Sequence, residues 1–369
     1  MGAAMEIRVD RQELERFCAG VFKKLDMTEE DADIAARVLV AADASGIPSH
    51  GVGRMGRYVE GLSTGLMLPR AESVLVNEGP TTLVVDARGA MGAPVSVRTM
   101  DRVIEKAKEY GSAFACVRDS NHFGIAGFYA RMALEADMIG IAMTNTAALG
   151  VPTFGTQAMF GTNPFAFAAP AGREKSFVLD MSTTVVTRGK IEVHQRSAKP
   201  LQPGWTVDQS GRATSDAAQV LEGLQNRSGG GILPLGGLGT AYGGHKGYGL
   251  AVMVDILCAL LCGAPFGQNV YDTPTSSARV SHFFGALRIA SFRNPEDFRR
   301  DMDAMLGELR TSPPAEDQDR VLYAGLPEQE REAEYAVKGI PLAQPVFDGL
   351  ARLGLKFKLE LETKGSALA

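Results

Sequence analysis

A chain of 369 residues that is 45% hydrophobic and 22% charged can bury a sizeable core and divide into two domains, which excludes disorder as its dominant state. A formal net charge of -5 offers no cationic footprint for phosphate backbones, so nucleic acid is excluded as a partner and a small molecule is expected. Cys18, Cys116, Cys258 and Cys262 form no CxxC pair, and MGAAMEIRVDRQELERF has no apolar run behind a basic start; a reducing, cytoplasmic location is expected.

Leu14, Cys18, Val21, Phe22 and Leu25 recur at helical spacing behind a cap at Asp10, and Thr28 with Asp31 resembles a capping box opening a second helix through Val38. After a break at Leu68 and Pro69, β-rich runs alternate with helical ones: TTLVVDA, residues 95–110, AFACVRD, residues 124–135, IGIAMTN, FAFAAP and SFVLDM. Residues 227–239, RSGGGILPLGGLG, punctuate the chain with six glycines; a helical pattern follows, and FFGALRIASF reads as a late strand. The apolar run 248–261 is shorter than a membrane span and carries Asp255, so a buried helix and no membrane contact are expected. From Pro295 the pattern is helical again, with Phe298, Met302 and Leu306 on one stripe and Val346, Leu350 and Leu353 on another. The expected fold is α/β, with residues 76–294 as an α/β domain and residues 1–75 with 295–369 as a helical domain built from both chain ends.

Residues 51–56 spell GxGxxG, but the preceding segment is helical and no acidic ribose partner follows a strand about 20 residues on, so a Rossmann fingerprint is not assigned. GTAYGGHKG approaches a phosphate loop, yet His245 separates Gly244 from Lys246 and no hydroxyl residue follows. A glycine-rich turn opening a helix still attracts anions, and His245 and Lys246 add positive charge; a cofactor phosphate and a merely solvated lysine are the two accounts. HExxH is absent and the five histidines lack ligand spacing, so no metal is expected. Ser49 and His50 sit in no GxSxG elbow, which argues against a hydrolase.

Residues 49–58, SHGVGRMGRY, concentrate titratable and anion-binding groups where a helix is expected to begin, and helical geometry would put His50 and Arg54 on one face. Such a pair would hold a 2-oxo acid, the guanidinium gripping carboxylate while the imidazole gives a proton to the adjacent carbonyl oxygen as hydride arrives. A surface helix with a capping serine is the competing account. Residues 119–124, DSNHFG, follow a strand and precede a helix, so His122 is the second candidate acid or base, against a capping or core histidine. Asp180 ends SFVLDM, where its carboxylate would orient His50 or serve as a plain N-cap before Ser182 and Thr183.

SHGVGRMGRYVEGL, NHFGIAGFYA, MTNT, GTNPFAFAAP, LDMSTT, RGKIEV, GGHKGYGLAVMVDIL and the closing GIPL, taken in order, resemble the malate/L-lactate dehydrogenase family. This type-2 group is unrelated to the Rossmann lactate dehydrogenases and includes ureidoglycolate, sulfolactate, diketogulonate and cyclic imino acid oxidoreductases. The resemblance implies a non-Rossmann NAD(P)-binding domain, a helical domain from both chain ends, and a homodimer with its active site between domains. It also implies that Ser49, His50, Arg54 and Tyr58 meet substrate or nicotinamide, that His122 shares their cleft, and that Thr146 varies with substrate class. For the cofactor, NAD or NADP, it points to Ser176, Phe177, Val178, Leu179, Asp180, Met181 and Ser182, to His245 and Lys246, and to Glu328, Gln329 and Glu330. The chain departs from the family where Pro327, Glu328 and Gln329 replace the usual Pro-Gly-Glu; a carboxylate at Glu328 beside a ribose would favour NADH and repel a 2'-phosphate, and both nucleotides stay open. The reaction so implied is hydride transfer to C2 of a small 2-oxo acid, with Arg54 on the carboxylate, His50 as first and His122 as second proton donor, and Asp180 behind the imidazole. Reduction of a cyclic imine is the near alternative. A catalytically idle nucleotide-binding protein is the distant one, opposed by the intact His50, Arg54, His122 and Asp180.

Overall fold

The computed structural model describes residues 7–273 and 275–364 of the protein. Strand β1 (Ile7–Val9) leads into α1 (Arg11–Lys24), whose first turn is capped by Asp10 accepting from the Gln12 N–H at 2.8 Å. Helix α2 (Glu29–Ala44) is capped by Thr28, which accepts from the Asp31 N–H at 3.2 Å, so both caps read from sequence satisfy otherwise orphaned donors. Helix α3 (Met55–Thr64) ends on Gly65 at φ 77°, a left-handed stop that suits glycine.

The α/β part then unfolds as β2 (Val74–Glu78), β3 (Thr82–Asp86), α4 (Gly92–Tyr110), β4 (Ser112–Ser120), α5 (Ala126–Met132), β5 (Met138–Thr144), β6 (Phe165–Ala169) and β7 (Phe177–Met181). A small excursion carries α6 (Arg188–Arg196), β8 (Thr206–Val207), α7 (Ala217–Asn226) and β9 (Gly231–Ile232). Helix α8 (Gly244–Cys258), β10 (Val280–Arg288), α9 (Pro295–Thr311), α10 (Leu326–Lys338), β11 (Ile340–Leu342) and α11 (Gln344–Phe357) complete the chain.

Seven strands form one mixed sheet in the order β2-β3-β4-β10-β5-β6-β7, in which only the β3–β4 pair, bridged by α4, is parallel. The late strand β10 takes the centre, and its apolar run from Phe283 is buried on both faces, as a central position demands. A Cβ at Gly285 would lie 2.8 Å from Phe114 Cδ1, so the ring of the neighbouring strand needs glycine there. Helices α4 and α5 cover one face through Met100, Val103, Tyr129 and Phe284, while α8 covers the other through Val254 and Cys258 against Cys116 and Phe283.

The chain ends meet as expected. Phe17, Phe22, Leu39, Met55 and Tyr58 share a core with Ile340, Leu342 and Leu350, and β1 pairs antiparallel with β11; each such side chain contributes about 1.5–3 kcal/mol of burial. Helix α9 departs from the expected grouping of residues 295–369. Its stripe of Phe298, Met302 and Leu306 packs with Phe167, Ala169 and Phe177 at the β6–β7 side of the sheet, because periodicity dictates that a face be buried but not against what. Residues 248–261 also differ from a fully buried helix. Ala251, Val254 and Cys258 are buried, whereas Val252, Ile256, Leu260 and Leu261 lie open, although Gly244–Cys262 is long and apolar enough to span a membrane by length and composition.

Candidate active site

The connection from α2 to α3 builds one wall of the principal cleft. Asp43, only 5% exposed near the end of α2, accepts the Val52 N–H at 2.6 Å. Its carboxylate lies so close to Gly51 that an added Cβ would come within 2.1 Å of Oδ2. The turn held this way presents Ser49 and His50, with Ser49 Oγ 2.9 Å from His50 Nδ1. A 3-10 turn at Val52–Arg54 precedes α3, so His50 and Arg54 come together through a turn and not through a shared helical face. Arg54 Nε donates to the Ser49 carbonyl at 2.7 Å, leaving its η nitrogens for a ligand.

The loop between β4 and α5 lines the cleft beside that wall. Asn121 anchors it by donating to the carbonyls of Gly89 and Ala90, at 3.0 and 2.9 Å. His122 stacks on His50 with ring centroids 5.6 Å apart and planes 21° from parallel. Tyr58 Oη lies 2.6 Å from His122 Nδ1, and the Gly124 N–H approaches the same nitrogen at 3.3 Å. Two donors converging on Nδ1 place the His122 proton on Nε2. Thr146 is held in the wall by accepting the Thr162 N–H at 2.9 Å, while its own N–H donates to Asn163 Oδ1.

Burial, and next the Arg54 charge, pushes the His50 imidazole down to about 4. Burial also holds His122 well below the ordinary imidazole range, with His50 and Arg54 adding to it. Burial pushes the Tyr58 phenol up to about 12, so at neutral pH the tyrosine keeps its proton and both imidazoles are uncharged. The cleft, about 270 Å³, is also bordered by Arg57, Arg188, Arg279 and Asp272. A pair of neutral imidazoles beside an arginine suits proton exchange with an oxygen adjacent to a bound carboxylate.

A family model described as malate/L-lactate dehydrogenase matches residues 9–351. The chain belongs to the malate/L-lactate dehydrogenase family. It is an oxidoreductase of that family, whose dehydrogenases use NAD or NADP. It is 40% identical to a malate dehydrogenase of Pyrococcus abyssi over 95% of this chain and 96% of that protein. With an L-sulfolactate dehydrogenase of Methanocaldococcus jannaschii it shares 39% identity over 80% of this chain and 82% of the relative. The solved malate dehydrogenase of Entamoeba histolytica superposes with a TM-score of 0.93 at 29% identity, covering 97% of this chain and 99% of that one.

The other family-implied residues of this dehydrogenase do not share one place. A second cavity of about 190 Å³ has Ser45 and Ile47 on one side and Ile125 and Gly127 on the other, flanked in sequence by the Ser49 and Gly124 of the principal cleft, so the two are neighbours. Val178, Leu179, Asp180, Glu328 and Gln329 line it. Gln329 Nε2 donates to the Ser176 carbonyl at 2.8 Å, while Phe177 packs toward α9 and Met181 pairs with Phe165 across the β6–β7 ladder. Ser182 Oγ donates to the Thr184 carbonyl at 2.9 Å. Glu330 turns away to pair with Arg320. His245 and Lys246 are exposed on the first turn of α8 and border neither cavity.

The placement of Asp180 corrects the support expected behind His50. Asp180 stands within β7, not at a helix cap, and its Oδ2 accepts the Gly127 N–H at 2.7 Å in the second cavity; no hydrogen bond joins it to His50 among the described residues. Crowding by protein atoms pushes its carboxyl up to about 6, eased by the Gly127 N–H and increased by Glu328, although the side chain still reaches solvent through the cavity mouth. The residues there fit the adenosine half of a dinucleotide: Ile47, Ile125, Val178 and Leu179 offer an apolar slot for a flat base, and Asp180 and Glu328 offer acceptors for ribose hydroxyls. In the principal cleft, Thr187, Arg188 and Gly189 bring up the first turn of α6, which has no side-chain cap and so exposes N–H groups to a phosphate.

Sequence reasoning missed Asp43, Arg188, Arg279 and Asp272, and gave Asn121 and Arg57, inside the DSNHFG and SHGVGRMGRY stretches, no role of their own. Arg57 lies inside the SHGVGRMGRY stretch and Arg188 inside RGKIEV, so a count of guanidiniums in those motifs would have found both. Asp43 carried one usable signal, a carboxylate on the otherwise apolar VLVAADA run of α2.

Proposed function

We propose that this dehydrogenase interconverts the 2-hydroxy and 2-oxo forms of a small dianionic acid of malate or sulfolactate type, with NADH as its preferred nucleotide. The reading rests on the convergence of Arg54 with two stacked, uncharged imidazoles in a cleft bordered by three further arginines. Against those guanidiniums stand Asp272, 3.2 Å from Arg57, Glu192, 2.9 Å from Arg188, and Asp119, 3.4 Å from Arg279. Each of these carboxylates engages a single guanidinium nitrogen, and the N–H donors left over around the cleft favour an acid with a second anion over a lactate-sized one. The relatives named malate and sulfolactate dehydrogenase agree with that choice.

Arg54 grips the C1 carboxylate through its η nitrogens. The bound anion offsets the guanidinium field that depresses His50, raising its proton affinity when a proton must be given to the C2 oxygen. His50 gives that proton in reduction and takes it back in oxidation, exchanging it with solvent beside the exposed Ser49. His122 donates from Nε2 to the same oxygen, and Tyr58 keeps it in that tautomer. Nicotinamide, when bound, supplies or accepts the hydride at C4. In the neighbouring cavity, Asp180 and Glu328 would accept from ribose hydroxyls and repel a 2'-phosphate, the lining Arg131 being engaged by Glu332, which is the basis for NADH.

A homodimer and a cytoplasmic location complete the proposal. Val252, Ile256, Leu260 and Leu261 are 37%, 44%, 50% and 57% exposed along α8 and the turn after it, an apolar face suited to a second copy of the chain. Sedimentation velocity of the wild type and Ile256→Glu tests this, with a monomeric wild type as the contrary result. All four cysteines are free, as in a reducing compartment. The decisive assay for the activity follows NADH and NADPH oxidation with oxaloacetate, sulfopyruvate, pyruvate and piperideine-2-carboxylate. Faster turnover of the cyclic imine, or no change in cofactor fluorescence on mixing, would overturn the reading. His50→Ala and His122→Asn, each assayed across pH, test the division of roles; an unchanged profile in both defeats it.

A further inference from the structure

The centre of the sheet contains a histidine with no part in the chemistry above. His282 on β10 is completely buried, and burial pushes its imidazole down to about 3, so it is an uncharged ring in the fold. Its Nε2 lies 2.8 Å from Ser120 Oγ, at the end of β4, and its Nδ1 lies 2.8 Å from Thr144 Oγ1, at the end of β5. β10 runs between these two strands and pairs with both. The imidazole thus spans the two strand ends from which the two catalytic loops depart. Ser120 is two residues before His122, and Thr144 is two residues before Thr146.

Each end of the bridge is reinforced by further contacts. On the Ser120 side the His282 ring stacks on Phe123, the residue after His122, with centroids 4.4 Å apart and planes only 4° from parallel. On the Thr144 side the hydroxyl donates to the Ser281 carbonyl at 3.0 Å, and the Ser281 N–H donates to Asn145 Oδ1 at 2.8 Å. Asn145 in turn donates to Asp255 Oδ1 at 3.2 Å. Ser120, Asn121, Thr144, Asn145 and Ser281 are all buried polar residues, an expensive set to place in a sheet core unless its geometry is used. An apolar side chain would have filled the same volume without orienting either loop.

We infer that His282 is a positioning residue: by bridging Ser120 and Thr144 it sets the separation between the loop that carries His122 and the loop that carries Thr146. The inference rests on the proposed dehydrogenase cleft for its functional meaning, but the bridge itself is testable without turnover.

Two substitutions split the bridge. An asparagine amide reaches the position of Nδ1, so His282→Asn keeps the Thr144 arm and releases Ser120; a glutamine amide reaches the position of Nε2, so His282→Gln keeps the Ser120 arm and releases Thr144. Below the melting transition of both variants, His282→Asn is expected to lower kcat about tenfold with KM nearly unchanged, and His282→Gln to raise KM about tenfold with kcat nearly unchanged, misplacement of about 1 Å costing up to about 100-fold. Adding Ser120→Ala to His282→Asn should lower kcat no further, because that arm is already released. In parallel, NMR of the His122 ring should shift in His282→Asn and that of the Thr146 methyl in His282→Gln. Variants that lose only thermal stability, or that change kcat, KM and both resonances alike, overturn the inference. A wild type inactive on every 2-oxo acid, with the split resonance pattern intact, would sink the proposed function and leave the bridge standing.

Discussion

Replacing Gly51 with alanine tests how firmly the His50 turn is held. The new Cβ would lie 2.1 Å from Asp43 Oδ2 and 2.2 Å from both Cγ and Oδ1. Ordinary contact begins at 3.4 Å, so the overlap exceeds about 1 Å on three atoms of one rigid carboxyl, well beyond what packed interiors absorb. Asp43 is 5% exposed and cannot swing into solvent, and its bond to the Val52 N–H at 2.6 Å ties it to the residue next to the intruding methyl. The turn must therefore move. Overpacking of this kind costs about 1–3 kcal/mol, and a broken buried hydrogen bond costs about 1–3 kcal/mol more. The Gly51→Ala variant should lose about 2–6 kcal/mol of stability, and displacement of His50 by about 1 Å should lower kcat/KM about 100-fold. Thermal melts and steady-state turnover of oxaloacetate with NADH, run on wild type, Gly51→Ala and the Gly51→Ala/Asp43→Ala double variant, measure both effects. Removing the carboxylate makes room for the methyl, so the double variant should melt above Gly51→Ala. A single variant with wild-type melting temperature and wild-type kcat/KM would refute the steric account.

Three other outcomes follow from the same geometry. Arg54→Gln removes the carboxylate anchor and should lower kcat/KM for 2-oxo acids at least about 100-fold, the loss of two charge-assisted bonds, whereas a loss below about threefold in steady-state assays would place the anchor elsewhere. Burial pushes Asp43 up to about 7 from its ordinary 3.8, so the folded chain holds a proton that the unfolded chain releases. The Asp43 contribution is then fully present at low pH and is lost as pH rises between about 4 and 7. Urea titrations of wild type and Asp43→Asn across that window should show the stability difference shifting against the wild type with rising pH, and a pH-independent difference contradicts the assignment. Glu328→Gln should raise the NADPH to NADH ratio of kcat/KM about tenfold by removing a charge beside the 2'-position; an unchanged ratio would place the ribose outside the second cavity.

Local signals in the chain were strong where short-range physics decides the outcome. Asp10 and Thr28 cap helices because their side chains bond amides two and three residues on, and the β-branched runs became strands because their alternation suits a pleated surface. The SHGVGRMGRY stretch carried Ser49, His50 and Arg54 of the cleft, with the buried Tyr58 behind His122, in one contiguous string, so one wall of the cleft was visible as a motif. Its partner His122 was nameable from its place after a strand, but its distance from His50 was not.

What the linear order left open depended on contacts between residues far apart in it. Helices α9 and α11 both have an apolar stripe, and only packing sent one to the sheet and the other to the N-terminal helices. Residues 283–292 read as a strand, yet β10 starts at Val280 and stops at Arg288, and its seat between β4 and β5, and hence the reach of His282 to two loops, arises from pairing across more than 130 positions of sequence. Asp180 looked like support for an imidazole and instead faces a second cavity, because the Gly127 amide claims its carboxylate. By itself the amino-acid order determined the helices and strands with clear apolar periodicity, the two N-terminal caps and the chemical inventory of this dehydrogenase, while β2, α6 and α7 went unread. Tertiary structure decided which groups face one another, since hydrogen bonds and charge effects depend on ångström separations that long loops leave unspecified until the core has packed.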